Sequence, residues 1–240
     1  MRPSTRIGRT CFLAVQILVI LVILCPILYA LDISFLPLSQ IFGKPLKLIP
    51  HEPDLSYYVT AFQRAPLFRY LVNTVIIAVC ITVGQVFLAC ITAFAFAYFD
   101  FKGKNVLFMA ILATMMIPGE SIVLSNYLTM GELGLLDTYV AMILPSLASA
   151  TTIFFMRQAF LQTPRELYEV ASMEGCSSLR FLLAIQIPLS KGAMGAVGIY
   201  TFINAWNAYM WPLLVTNTDK MRTVQIGIGM LLDAESADYN

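Results

Sequence analysis

The sequence predicts an all-α protein, a polytopic transmembrane helical bundle, and two observations make that prediction: long apolar runs and a shortage of charge. Of the 240 residues, 59% are hydrophobic and 12% charged. A soluble domain carries about 25% charged and about 45–50% apolar residues, so a chain of this length with so few charges leaves its apolar surface uncovered in water. Hydrocarbon solvent removes the conflict. With a net charge of +1, nothing favours nucleic acid or another strongly charged partner.

The first apolar run covers residues 11–31, after Arg2, Arg6 and Arg9 in a short segment, residues 1–10. Its fourteen Leu, Ile, Val and Phe side chains, at about −0.3 to −0.6 kcal/mol each near the bilayer centre, outweigh Gln16 and Pro26. The run exceeds the usual signal-peptide core of about 7–15 residues, so a retained span is expected rather than a cleaved leader. Residues 32–69 are polar and contain Pro37, Pro45, Pro50, Pro53 and Pro66. Further spans are expected over Tyr70–Tyr98, Asn105–Leu128, Thr138–Phe160 and Gly192–Val215. Between them lie a turn at Phe99–Lys104, a tight loop marked by Gly131 and Gly134, and a charged stretch, Leu161–Lys191. Residues 70–215 therefore form the membrane core, and residues 216–240 read as a polar segment.

Lys and Arg in the loops favour a cytoplasmic N-terminus. That choice puts Arg2, Arg6, Arg9, Lys102, Lys104, Arg157, Arg165, Arg180 and Lys191 inside, against Lys44, Lys47, Arg64, Arg69, Lys220 and Arg222 outside. Residues 32–69 and 216–240 are then external. The cysteines Cys11, Cys25, Cys80, Cys90 and Cys176 have neither metal-site nor disulfide-framework spacing and read as small packing residues. His51 stands alone among prolines and acidic residues, and no role is assigned to it.

The stretch between the fourth and fifth spans carries the most information. It begins Thr163-Pro164-Arg165-Glu166 and ends at Glu174-Gly175. Thr163 is expected as the N-cap, with Pro164 in the first helical position and Glu166 completing a capping box. Gly175 is placed to end the helix in a left-handed cap. Such a helix is about 16 Å long, too short to cross a membrane. Leu167, Val170 and Ala171 share one face, with Arg165, Glu166, Glu169 and Ser172 mostly away from it. A second helix is expected from near Ser177 or Ser178 to a break at Pro188. A short amphipathic helix either lies in the lipid interface or fits a groove on a soluble partner. Its acidic residues favour the partner, because helices on anionic membranes are rich in Lys and Arg.

Glu169-Val170-Ala171, then Glu174-Gly175-Cys176 and Ile187-Pro188-Leu189, follow a known cytoplasmic signature with departures at Val170, Glu174 and Cys176. With Phe99–Lys104, Gly134–Tyr139, Ile143–Pro145, Phe154–Gln158 and Trp206–Leu213, they resemble the permease subunits of bacterial carbohydrate ABC importers. These are binding-protein-dependent inner membrane components for sugars, oligosaccharides or glycerol 3-phosphate. The likeness covers nearly the whole chain. It implies a type I importer permease fold, in which the short helix is a coupling helix seated in a cleft of a cytoplasmic ATPase. Glu169, Val170, Ala171, Glu174, Gly175, Ile187 and Pro188 are then the coupling residues. The implied partners are two ATPase subunits, a second permease subunit, an external substrate-binding protein and the lipid bilayer. No cofactor is implied in this chain. The family also implies a sixth span returning the C-terminus to the cytoplasm; none is discerned before Asn240, so truncation is expected. The glycerol-phosphate members are most alike around Ser149-Ala150-Thr151 and Asn207-Ala208-Tyr209, yet the only basic residue within the spans is Arg157, at the cytoplasmic end of the fourth.

Three polar or aromatic positions are candidates for the translocation path. Glu120 follows Pro118-Gly119, and either it is an intramembrane functional group or the helix breaks there. Asn207 lines the path or bonds a neighbouring helix. Trp206 joins it, or belongs with Tyr209 and Trp211 to an interfacial aromatic belt. The chain has no phosphate loop, so ATP falls to another chain, and no catalytic constellation, so it is not read as an enzyme. An ion-coupled secondary transporter is the alternative, although such folds carry internal repeats and several intramembrane charges. A non-transporting scaffold has no need of the capped acidic helix.

Overall fold

The computed structural model describes residues 6–36 and 53–238. His51, Arg2, Lys44, Lys47, Pro37, Pro45 and Pro50 lie outside them. All regular structure among the described residues is helical, and the chain divides into two units, Met1–Arg64 and Ala65–Asn240.

The first unit holds α1, Arg6–Ile33, and α2, Ser56–Arg64. Phe12–Ile33 is long and apolar enough to cross a bilayer, and none of it is buried. Leu, Ile and Val occupy every side of this helix, the pattern of a helix meant for hydrocarbon. After it, the Tyr58 hydroxyl donates to Ser34 Oγ at 2.6 Å, and the Phe35 and Tyr58 rings pack at 5.7 Å. The Asp54 carboxylate accepts the Ser56 N–H at 2.8 Å at the start of α2. That bond holds the Asp54 carboxyl below its ordinary range.

The second unit is organised on α3, Leu67–Tyr98, a helix of 32 residues and so about 48 Å long. The rest follows in chain order: α4, Lys104–Ala113; α5, Gly119–Glu132; α6, Tyr139–Ile143; and α7, Ala150–Phe160. Next come α8, Arg165–Met173; α9, Ser178–Phe181; α10, Ile187–Leu189; α11, Lys191–Trp206; α12, Met210–Val215; and α13, Val224–Asp238. α7 and α11 are the principal partners of α3. The sequence explains that choice. Ala89, Ala93 and Ala97 recur at four-residue spacing on α3 and are all buried, so backbones approach closely where apolar bulk gives no advantage over lipid. They pack with Met156 and Phe160 of α7, Val197 of α11, and Phe94, Tyr98, Phe181 and Leu182. A second core at the Leu67 end gathers Ile77, Ile81, Met130, Ala141, Met142 and Val215.

Most of the expected spans are bent. The span Asn105–Leu128 is two helical pieces meeting at 98°. A 3₁₀ turn, Thr114–Met116, ends the first piece, and Ile117 is extended because the residue before a proline avoids the helical region. The span Thr138–Phe160 bends by 49°, and the Ser149 hydroxyl restarts it by accepting the Thr152 N–H at 3.3 Å. The span Gly192–Val215 is interrupted between Trp206 and Met210.

Pro188 does not break the second loop helix. Leu182–Gln186 winds as a π turn, and Pro188 enters the first turn of α10, where its missing N–H is not needed. The chain turns instead at Ser190, with 80° between Ser178–Leu189 and α11. Gly131 is likewise helical, inside α5, while Gly134 makes the turn with φ +66°. The segment 216–240 contains a helix that its composition conceals. Asp233, Glu235 and Asp238 mask an apolar run, Val224–Leu232, whose Ile226 is 1% exposed. Gly227 lies so close to the Tyr70 ring that a Cβ there would collide with it.

Replacing Ala93 by Leu is expected to force α3 away from α7 and α11 at a cost of about 1–3 kcal/mol. The detergent-solubilised protein should lose thermal stability, while Ala93→Ser stays near wild type. An unchanged Tm for Ala93→Leu removes the close-packing account.

Candidate functional site

At the Tyr98 end of α3 the chain builds the short helix α8. Its start differs from the expected capping box. Pro164 is the N-cap, and no side chain caps the helix. The Thr163 N–H is already donated to the Phe160 carbonyl, so Glu166 has no free N–H to reach back to. Thr163 Oγ1 accepts instead from the Gln186 amide at 3.2 Å. The C-terminal end matches the expected glycine cap. Gly175 has φ +80°, its N–H donates to the Ser172 carbonyl, and the Cys176 N–H reaches back to Ala171 at 2.9 Å. These two bonds satisfy the last carbonyls of the helix.

The apolar face also splits differently from the expectation. Ala171 turns inward with Tyr168 against the α3 core, whereas Leu167 and Val170 stay exposed beside Met173, which is 80% exposed. Aromatic packing decides this. The Tyr168 ring sits 4.9 Å from Tyr98 and 5.0 Å edge-on from Phe181, and its hydroxyl bonds Ser178 Oγ at 2.8 Å. The outward surface therefore combines Leu167, Val170 and Met173 with Glu166, Glu169 and Glu174. Arg165 ties the base of the helix to the α3–α4 turn: its guanidinium reaches Asp100 at 2.6 Å and Glu169 at 3.5 Å. The hydrogen bond from Arg165 holds the Asp100 carboxyl below its usual range. These groups are open to solvent, so salt screens the pair.

Of the expected coupling residues, Glu169, Val170, Ala171, Glu174 and Gly175 thus belong to α8 and its cap, while Ile187 and Pro188 open α10, with Ile187 against the same core. Sequence reading missed Tyr168 and Gln186. Gln186 is fully buried. Its amide donates to Thr163 and to Ser190 Oγ at 3.0 Å, and its Oε1 accepts the Tyr98 hydroxyl at 2.6 Å. One side chain thereby links α3, the start of the short loop helix and the turn into α11. The signal was present: a lone glutamine within the apolar run Phe181–Leu189.

Further along α3, Gln85 ties three other segments. Its amide donates to the Ser146 carbonyl at 2.6 Å, and its Oε1 accepts the Thr152 and Thr201 hydroxyls at 2.9 and 3.1 Å. It lines a cavity of about 240 Å³ with Ser149, Asn204 and Trp211. The three path candidates are not in that wall. Glu120 is exposed in the first turn of α5, just after the break at Pro118. Asn207 ends α11, donating to the Ile203 carbonyl and accepting from Gln225 at 3.3 Å. Trp206 stacks on Phe202 at 5.7 Å, while its neighbours Ala205 and Ala208 line the cavity.

The Leu67 end is latched by Asn73 and Asp137. Buried Asn73 donates to the carbonyls of Lys220 and Arg222 and accepts from Tyr139 at 2.7 Å. Asp137, left-handed at φ 61°, accepts the N–H groups of Asn217 and Thr218 and the Thr218 hydroxyl. Burial pushes its carboxyl up, but the Thr218 hydroxyl and the two N–H groups outweigh that and hold it below the ordinary value.

Bent apolar helices tied by interhelical hydrogen bonds, with a cavity between them, fit a membrane transport permease. Residues 85–237 match the family described as binding-protein-dependent transport system inner membrane component. The chain belongs to that family. It is 36% identical over 225 residues, 91% of this chain and 80% of the relative, to the sn-glycerol-3-phosphate transport system permease protein UgpE of Rhizobium meliloti. With UgpE of Agrobacterium fabrum it shares 35% identity over 98% of this chain and 85% of the relative. Its fold is also similar to a chain in the crystal structure of a bacterial ABC transporter involved in the import of the acidic polysaccharide alginate. The TM-score is 0.80 at 24% identity, covering 96% of this chain and 82% of that one.

Gln186→Leu should cost about 1–3 kcal/mol by leaving the Tyr98 hydroxyl and its neighbours unpaired. The readout is the thermal midpoint, and a wild-type value means that the network contributes nothing. Asp137 has a depressed folded pKa, so its stabilising bonds are complete above the unfolded value near 4 and are lost as pH falls through the lower folded value. Asp137→Ala should therefore flatten the acid limb of the stability–pH curve below about pH 4. An equally steep limb in the variant assigns the acid sensitivity elsewhere.

Proposed function

We propose that this chain is one of two permease subunits of a type I ATP-driven importer that moves a carbohydrate-class solute inward. The observation that carries the reading is α8: a capped helix anchored on its Tyr168–Ala171 side and presenting Leu167, Val170 and Met173 to a partner. Exposed apolar anchors at helical spacing fit the groove of a soluble protein. The partner is a cytoplasmic ATPase, which hydrolyses ATP in place of this chain. Closure of an ATPase dimer then pulls on α8, and the Tyr98–Gln186–Thr163 bonds pass the pull to α3 and α11.

In this reading the N-terminus and α8 are cytoplasmic, in keeping with the Lys/Arg balance of the loops. A second permease completes the pathway, and an external binding protein delivers the solute. The named relatives support glycerol 3-phosphate as that solute, and the resemblance of the sequence motifs extends the class to a sugar or an oligosaccharide. Glu169, Val170, Ala171, Glu174, Gly175, Ile187 and Pro188 are the coupling residues. Glu120, Asn207 and Trp206 remain candidates for the path, although none lines the cavity beside Gln85.

Copurification with the ATPase should be lost on deleting residues 164–175. Glu169→Ala and Gly175→Asp should abolish uptake while membrane insertion is unchanged: losing one member of an interfacial charge pair costs about 2–5 kcal/mol, and a side chain at φ +80° disrupts the cap of α8. Wild-type uptake by either variant counts against the coupling assignment.

A further inference from the structure

Two cavities open along α11, and one side chain belongs to both. The first, about 240 Å³, is the one bounded by Gln85, Ser149, Asn204 and Trp211. The second, about 400 Å³, lies between α7 and α11 against Phe155, Gln158, Gln162 and Ala196. Tyr200 lines each of them. On α11 the wall runs Ala193, Ala196, Tyr200, Asn204, a single stripe at helical spacing. The two alanines leave the room that makes the second cavity. The track therefore leads from the middle of α3 toward Gln162, one residue before the Thr163 that Gln186 holds.

The chemistry of the wall is uniform. Among the described residues lining either cavity there is no Lys, Arg, His, Asp or Glu. Gln85 has spent its oxygen on Thr152 and Thr201, so it positions the wall more than it offers a site. Asn204 gives one N–H to the Tyr200 carbonyl at 2.8 Å and keeps a second N–H and its oxygen. The Ser149 oxygen accepts the Thr152 N–H and keeps its own hydrogen to donate. Neutral donors and acceptors beside the Tyr200 and Trp211 rings match a molecule with hydroxyls on an apolar carbon frame. They offer no cation with which an anion could pair.

We infer that the Asn204–Tyr200–Gln158 track is this subunit's share of the translocation path, and that it takes the uncharged, hydroxyl-bearing part of the solute. Asn204 reads hydroxyl groups, and Tyr200 is the waist between two stations. Any phosphate or carboxylate on the solute meets its counter-charge on another subunit. The inference rests on the importer reading above.

The test is thiol labelling of the assembled importer in membranes, with the native cysteines replaced. Asn204→Cys, Tyr200→Cys and Gln158→Cys are compared with Ile199→Cys, a neighbour on α11 outside both cavities. The thiolate is the reacting form, so the three track positions should react with aqueous reagents at least about tenfold faster than position 199. Cationic and anionic methanethiosulfonates should react at similar rates, since a charged cleft would separate them by about tenfold or more. A Leu167→Cys variant reports on α8 and should be shielded when the ATPase subunits are bound. Shielding at 167 with track rates equal to that at 199, or with strong preference for the anionic reagent, overturns this inference and leaves the importer reading standing. No shielding at 167 overturns the importer reading and this inference with it.

Discussion

The fold depends on buried amide and hydroxyl groups that bind α3 to its neighbours at three levels. In lipid, packing apolar side chains together gains little over leaving them against hydrocarbon, so specificity comes from close approach and interhelical hydrogen bonds. Asn73 holds the Lys220–Arg222 backbone and Tyr139 at one end of α3. Gln85 holds Ser146, Thr152 and Thr201 midway. Tyr98 holds Gln186 at the other end. Between these knots the Ala89–Ala93–Ala97 stripe lets the partner helices approach. A long central helix fixed at intervals acts as a mast for segments that are themselves bent.

Bent segments leave backbone groups that a straight helix would satisfy, and the structure answers them locally. Ser149 caps the restarted half of its span. Gln85 takes the Ser146 carbonyl just before it. The π turn Leu182–Gln186 absorbs the change of register ahead of Pro188 and turns the Gln186 side chain fully inward. π turns occur frequently at functional sites, and here one sits between the short helix α8 and the span that lines both cavities. α8 is joined to the rest through hydrogen bonds and packed rings, since exposed α8 itself has little buried contact beyond Tyr168 and Ala171.

Much of this was legible from the chain alone, for identifiable reasons. Apolar run length marks long helices whatever their tertiary setting, so the helices Phe12–Ile33 and Leu67–Tyr98 overlap the apolar runs 11–31 and Tyr70–Tyr98. Gly175 was legible as a cap because a left-handed residue after a helix is a local requirement. Thr163 misled because its N–H closes the end of α7 on the Phe160 carbonyl and its hydroxyl oxygen is taken by Gln186, a distant partner that no local motif can reveal. Leu167 and Val170 misled for a related reason: helical periodicity says which residues share a face, and the aromatic cluster around Tyr98 and Phe181 chose Tyr168 for the inward one. The helix Val224–Asp238 was hidden because its acidic second half dominates the composition.

The sequence by itself determined the solvent, the helical class, the family and the place of the short loop helix, because hydropathy, turn residues and motifs act over a few residues. Only the tertiary structure decided where the spans bend, which face of α8 is left free, and which polar side chains become knots or cavity walls. Those outcomes depend on partners far apart in the chain, such as Gln85 with Thr201 and Tyr98 with Gln186, and a buried amide takes its meaning from the group that satisfies it.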